Sequence, residues 1–173
     1  MAMAFISVGA NIEPQKNIRA ALEILRGATH VVACSTFYRT EPLGGRDQPA
    51  YLNGVWLIET DLPAADVKSA LLSPIEQQLG RTRTGDKYSP RTIDLDLILY
   101  DDLTREDREL RLPHPDLLRP FVYFPVAELL GGMSGASFKD LAQRIRRLLP
   151  QAPAPLPGEP LPEFTRELRA LLD

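Results

Sequence analysis

Apolar positions along the chain fall into short continuous runs and helically spaced stripes. Residues 4–8 are a short, mostly apolar run closed by Gly9, the pattern of a buried strand. Pro14 suits a first helical position. Ile18, Ala21, Leu22 and Leu25 then recur at i, i+3, i+4 and i+7, and Gly27 suits the stop. Residues 31–39 are rich in β-formers, and residues 52–60 read as a returning strand. Between them, Gly44, Gly45 and Pro49 mark a long, mobile loop over 41–50, so the two segments predict a hairpin. Pro63 opens a second helix with Val67, Ala70, Leu71, Ile75 and Leu79 on one face and Gly80 at its end. Pro74 sits inside that stripe. It cannot donate a backbone hydrogen bond, so a kink or interruption is expected there. A polar loop over 81–91 leads into a strand over 92–100.

The predicted order is therefore β-α-β-β-α-β, the split βαβ order of ferredoxin-like α+β folds. Beyond it the pattern is less regular. Residues 101–111 form a charged excursion, and Leu112-Pro113-His114-Pro115 a rigid turn. Residues 121–130 are apolar and end at Gly131-Gly132. Ser137 is placed to cap a helix bearing Phe138, Leu141, Ala142, Ile145, Leu148 and Leu149. Six of the sixteen prolines fall in residues 150–162, which read as an extended linker before a short terminal helix over 164–172. The expectation is a domain over 1–149 and a proline-rich accessory tail over 150–173.

Composition narrows the class. A chain of 173 residues with net charge −3 is long enough for one substantial core and lacks the positive field of a nucleic-acid binder. The N-terminus has no basic region ahead of a long apolar core, and no apolar stretch approaches the ~20 residues of a membrane span. A cytoplasmic monomer acting on small molecules is expected. Cys34, the single cysteine, reads as a small buried hydrophobe, and two histidines with one cysteine make no zinc set.

The chemistry concentrates around Asp94 and Asp96. Alternate strand residues share a face, so the two carboxylates start roughly 6–7 Å apart. Upstream, Arg81, Arg83, Lys87 and Arg91 stand against one acid, Asp86. Acids that hold a divalent cation beside bases that neutralise phosphate are what a metal-bound polyphosphate requires. The plainer readings are a solvated acidic strand face and a solvated loop. The apolar flanks of the acids, where like charges are costly, and the Gly85 and Pro90 punctuation of the loop favour the site. Around it, Tyr88 reads equally as a cover for a bound ring or a surface tyrosine. His114 reads as a turn hydrogen bonder or a phosphate contact. Asn53, beside Tyr51, reads as a reader of a heterocycle's edge or a loop cap, and Trp56 as core. No phosphate-binding glycine loop and no nucleophilic triad is present, so phosphate chemistry would run on metal and arginines.

Four segments in order, F-I-S-V-G-A-N from Phe5, F-Y-R-T-E-P-L-G-G-R-D-Q-P-A-Y-L-N from Phe37, K-Y-S-P-R-T-I-D-L-D-L-I from Lys87 and L-P-H-P from Leu112, resemble the 6-hydroxymethyl-7,8-dihydropterin pyrophosphokinase family of folate biosynthesis. The resemblance covers roughly residues 4–130. It implies a ferredoxin-like core in an αβα arrangement and transfer of diphosphate from ATP to the pterin's hydroxymethyl oxygen, releasing AMP. It further implies that Asp94 and Asp96 ligate two Mg²⁺ ions. Arg81 and Arg91 would bind the transferring phosphates, with Arg83 and Arg119 in support. His114 would contact nucleotide phosphates, Tyr88 would lie against the nucleotide, and Glu76 and Leu97 would lie near the adenosine. Tyr51 and Phe121 would sandwich the pterin, and Thr40, Leu43 and Asn53 would read its edge. Loops 41–51 and 81–91 would close over both substrates. Ser89, Tyr88 and Thr84 depart from commoner family residues. The competing readings are a non-catalytic nucleotide or pterin binder on the same fold, a different D-x-D transferase and a purely structural module.

Overall fold

In the computed structural model, β1 (Ala2–Ala10) lies inside a twisted antiparallel sheet. The structure describes the chain except residues 45–46, 83, 87 and 155–157, and at 136–137 it describes the backbone alone. After β1 come α1 (Pro14–Ala28), β2 (His30–Cys34), β3 (Tyr38–Thr40) and β4 (Tyr51–Thr60). A broken helix, α2 (Ala64–Asp66), a π-helical turn (Val67–Leu72) and α3 (Ser73–Gln78), then leads to β5 (Asp94–Tyr100). With a short late strand, β8 (Glu159–Pro160), the sheet order is β5-β1-β4-β3-β8, and β2 also pairs with β4. Its first four segments reproduce the ferredoxin-like order, and every pairing is antiparallel.

Both faces of the sheet are covered, which is why β1 and β4 are apolar at almost every position. On one face Ala4, Ile6 and Val8 pack with Ile18, Leu22 and Leu25 of α1 and with Val67, Leu72 and Ile75. On the other, Met3, Phe5, Val55 and Leu57 pack against α4 (Pro120–Gly132) and α5 (Ala136–Arg146), through Val122, Val126 and Ile145 among others. The result is the αβα layering.

Local departures have physical causes. Pro74 breaks the second helix as its missing N–H requires, and the turn before it widens so that Ser73 N donates five residues back to Lys68 O. The extra residue shifts the buried stripe: Leu72 faces the core, and Ala70, expected there, is exposed. The β-rich segment 31–39 is two strands: at Ser35 the backbone N donates to Val55 O at 3.0 Å but the side-chain Oγ accepts Val55 N at 2.8 Å, and the regular ladder stops there. The charged excursion contains a small hairpin, β6 (Arg105–Glu106) with β7 (Arg111–Leu112), and the Leu112–Pro113 bond is cis before a 3₁₀ turn (Pro115–Leu118). The N-cap of α5 is Gly135, not Ser137, which falls inside the first helical turn.

The proline-rich segment returns to the body. β8 (Glu159–Pro160) pairs with β3, and α6 (Pro162–Ala170) buries Phe164 and Leu168 in the α1-side core. Thr165 Oγ1 accepts Phe37 N at 2.9 Å. Gly158 makes the entry possible, with φ +136° and a backbone so close that a Cβ would lie 2.3 Å from Arg39 O. Among the described residues, no helix is long and apolar enough to cross a membrane.

Candidate functional site

α4 covers the middle of its sheet face and leaves one end open. Register decides what lies there. Gly9 of β1 pairs with Asn53 on β4 and with Asp94 on β5, while Ser7 pairs with Asp96. Paired residues share a face, so Asn53 and both acids point to the same side. Gly9 is the floor between them. A Cβ there would come within 2.7 Å of Asn53 Oδ1. The opening is a cleft of about 380 Å³ lined by Thr40, Leu43, Tyr51, Asn53, Arg81, Tyr88, Arg91, Asp94, Asp96, Arg119 and Phe121, with Gly9, Glu41, Lys68 and Asp116.

Most charges in the cleft are paired. Asp94 takes Arg81 Nη1 at 2.7 Å on Oδ1 and Arg91 Nη1 at 2.5 Å on Oδ2. Burial pushes the Asp94 carboxyl up, but Arg81, Arg91 and Lys68 together outweigh it and hold the group below the ordinary carboxylate range. Burial likewise works against the Arg91 charge, and Asp94 overrides it, raising that guanidinium further. Asp96 takes Lys68 Nζ at 3.2 Å. Burial raises the Tyr51 hydroxyl, so this phenol stays protonated at neutral pH.

β5 is a sheet edge, and an edge leaves backbone groups to satisfy. Glu76, almost fully buried, accepts Leu95 N at 2.8 Å, and Lys68 Nζ donates to Leu95 O. The same Glu76 oxygen takes Lys68 Nζ at 3.0 Å and is bonded by Arg81 Nη1. One buried carboxylate thus ties the broken helix, the edge strand and the first arginine of the loop together.

Asn11 joins the two loops. Its Oδ1 accepts Arg91 N at 2.9 Å, and its Nδ2 donates to Gln48 Oε1 at 2.8 Å and to Pro49 O at 3.2 Å. Gln48 Nε2 donates onward to Tyr88 O at 3.0 Å, and Tyr51 Oη to Ser89 O at 3.4 Å. The backbones of 48–49 and 88–91 are therefore held side by side next to the cleft that Tyr51, Tyr88 and Arg91 line.

Most residues singled out in the sequence converge on the cleft, but not all. Glu76 lies behind it, lining a separate hollow of about 140 Å³ with Ser73, Gln77 and Arg81. Leu97 is buried in the α1-side core. His114 Nδ1 accepts Asp116 N at 3.1 Å, the local turn bond that sequence left open, and the ring is not in the cleft lining. Asp116 in turn holds Arg119 Nε at 2.9 Å. Arg83 and Lys87 lie outside the described residues. Asn53 Nδ2 donates to Thr40 Oγ1 at 2.6 Å, which orients its amide. Lys68, Glu41, Asp116 and Gly9 were not anticipated in the cleft, nor Asn11 and Gln48 as ties between its loops. Only Asn11, Gly9, Glu41 and Gln48 carried a sequence signal, by lying within the resembling segments. Among the described residues, no group of three or more histidine, cysteine or acidic side chains forms a metal cage. Asp94 and Asp96 are the paired carboxylates available to a cation in the cleft.

Residues 5–131 match the family described as 7,8-dihydro-6-hydroxymethylpterin-pyrophosphokinase. The chain is 38% identical over 133 residues to the 2-amino-4-hydroxy-6-hydroxymethyldihydropteridine pyrophosphokinase of Haemophilus influenzae, an alignment spanning 75% of this chain and 82% of that protein. It is 37% identical over 129 residues to the enzyme of the same name from Pseudomonas aeruginosa, spanning 72% and 78%. With the Synechocystis enzyme of that name it shares 39% over 130 residues, spanning 73% and 65%.

Proposed function

This chain belongs to the 7,8-dihydro-6-hydroxymethylpterin-pyrophosphokinase family, and from its cleft we propose how it performs the reaction of that family. It is an ATP-dependent diphosphokinase of folate biosynthesis, moving diphosphate from ATP to the hydroxymethyl group of 6-hydroxymethyl-7,8-dihydropterin and releasing AMP. One observation carries the assignment of roles: the acid pair with its arginines and the hydrogen-bonded Thr40–Asn53 pair lie on either side of Gly9, in one cleft.

The pterin lies on the Asn53 side. Asn53 and Thr40 read its edge, Leu43 borders it, and Tyr51 and Phe121 take its two faces. The triphosphate lies on the Asp94 side. Arg81 and Arg91 bind the transferring phosphates there, supported by Arg119 and Arg83. Tyr88 lies against the nucleotide, Glu76 and Leu97 are assigned to the adenosine end, and His114 to the nucleotide phosphates. Asp94 and Asp96 fit two Mg²⁺ ions by donor chemistry, as hard oxygens on one strand face beside a phosphate-binding loop. Mg²⁺ held there supplies neutralisation of the phosphate oxygens. Arg81 and Arg91, now paired with Asp94, turn from carboxylate to phosphate without leaving the cleft.

The hydroxymethyl oxygen attacks the β-phosphorus directly. A new O–P bond forms, the bond from the β-phosphorus to the α,β-bridging oxygen breaks, that oxygen leaves on AMP and the hydroxyl proton passes to solvent, with no covalent enzyme intermediate. Asn53 and Thr40 set the acceptor's position, and the arginines hold the phosphorus in line. The loops joined by Asn11 and Gln48 keep out water that would otherwise hydrolyse ATP. We assign the chemistry to residues 1–149 and a packing role to 150–173, in a cytoplasmic monomer without nucleic-acid partners.

Protein mixed with MgATP and 6-hydroxymethyl-7,8-dihydropterin should produce AMP and pterin diphosphate, followed by chromatography. ADP as the product would make the chain an ordinary kinase, and tight binding without turnover would make it a sensor.

A further inference from the structure

Lys68 belongs to none of the segments that suggested function, yet its ammonium meets three oxygens at the cleft wall. It lies 3.0 Å from Glu76 Oε1 and 3.2 Å from Asp96 Oδ1, and it donates to Leu95 O. The backbone sets this placement. Lys68 is the second residue of the π turn, whose extra residue keeps Val67, Leu71 and Leu72 in the core while the lysine reaches round the edge of β5. Such turns recur at functional sites. Two of the three partners, the buried Glu76 and the Leu95 carbonyl, are parts of the scaffold. The third, Asp96, lines the cleft.

We propose that Lys68 is the tethered counter-ion of Asp96, a positioning residue that keeps a divalent cation from settling on that carboxylate until a nucleotide arrives with it. The inference rests on the reading of Asp96 as a metal-holding group. Two of its donors are spent on the scaffold, on Glu76 Oε1 and Leu95 O, and these hold the charge 3.2 Å from Asp96 as an ion pair. A free cation reaching Asp96 must part that ion pair and stay beside a like charge. When the cation comes with a polyphosphate, the ammonium has an anionic oxygen to face instead. Cation and nucleotide therefore bind with positive coupling, and Lys68 is the source of part of it.

Mn²⁺ alone is the probe, titrated by electron paramagnetic resonance into nucleotide-free protein at one pH. Lys68→Met and Lys68→Gln should bind it about tenfold or more tighter than the parent chain, the effect of removing a unit charge beside a divalent one in a solvent-exposed setting. Lys68→Arg, which keeps the charge, should stay near the parent. Adding Asp96→Asn to Lys68→Met should abolish the gain. Equal Mn²⁺ affinity in the parent, Met and Gln chains overturns the proposal, and so does a gain that survives Asp96→Asn. If the Met variant fails to fold, the Gln variant carries the comparison, since it keeps a donor for Glu76 and Leu95 O. Mere loosening of the site would weaken Mn²⁺ binding rather than strengthen it. Failure of the transfer reading shows separately, as no AMP from the unaltered chain.

Discussion

Asp94 and Asp96 are equivalent in sequence and unequal in space. Asp94 is clamped by two guanidiniums and buried enough that its charge depends on them. Asp96 is 29% exposed and held by the single lysine. Removing Asp96 should therefore spare the fold. Its ion pair is partly solvated, a setting in which such pairs contribute about 0–1 kcal/mol. Asp96→Ala is expected to lower AMP formation by more than about a hundredfold, the scale of losing one electrostatic partner of a transition state. Its thermal midpoint should stay within a few degrees. Retention of the parent rate would remove Asp96 from the site. Cys34 makes the opposite point. Burial, above all, pushes its thiol up to about 12, so it stays protonated and packs as the small hydrophobe its apolar surroundings predicted.

At the scale of elements, two segments matter more than their sequence suggested. The π turn is a consequence of Pro74, and it delivers Lys68 to the cleft. The C-terminal β8–α6 unit closes the free edge of β3, two residues before the start of the 41–50 loop. Phe164 sets its ring edge-on to Phe37 with centroids 5.8 Å apart, and Phe37 lies over Gly54, where a Cβ would come within 2.5 Å of the ring. Phe164→Ala should cost about 3 kcal/mol or more in a urea denaturation, while turnover per folded molecule stays near the parent value. A cost under about 1 kcal/mol, the range of ordinary surface substitutions or little above it, would make the tail a passenger.

Across the whole molecule, ligand binding should show as stability. Both loops and the edge strand bear on the cleft, and a ligand that binds only the folded state stabilises it by about 2.7 kcal/mol at a hundredfold excess over its dissociation constant. For a chain of this size that is ~2–4 °C per kcal/mol. MgATP should raise the thermal midpoint by several degrees in scanning fluorimetry, and an unchanged midpoint would argue against a nucleotide site. Much of this architecture was legible beforehand. A period of two placed Asp94 and Asp96 on one strand face, a period near 3.6 laid out α1, and the lone Pro74 announced the break. These are local rules, carried by residues close in the chain. Which strand lies beside which is a matter of pairing between distant residues, and no period reports it. Hence Gly9 as the floor between Asn53 and Asp94, Asn11 as the tie between loops, and Glu76 behind the wall rather than in the cleft appeared only in three dimensions. The same holds for the tail, whose prolines read as linker because nothing local records that β3 has an edge to offer. By itself the sequence determined most of the helices and long strands, the shared face of the two acids and the chemistry they carry. The tertiary structure decided the neighbours, because backbone edges and buried charges are satisfied by whatever the fold brings near.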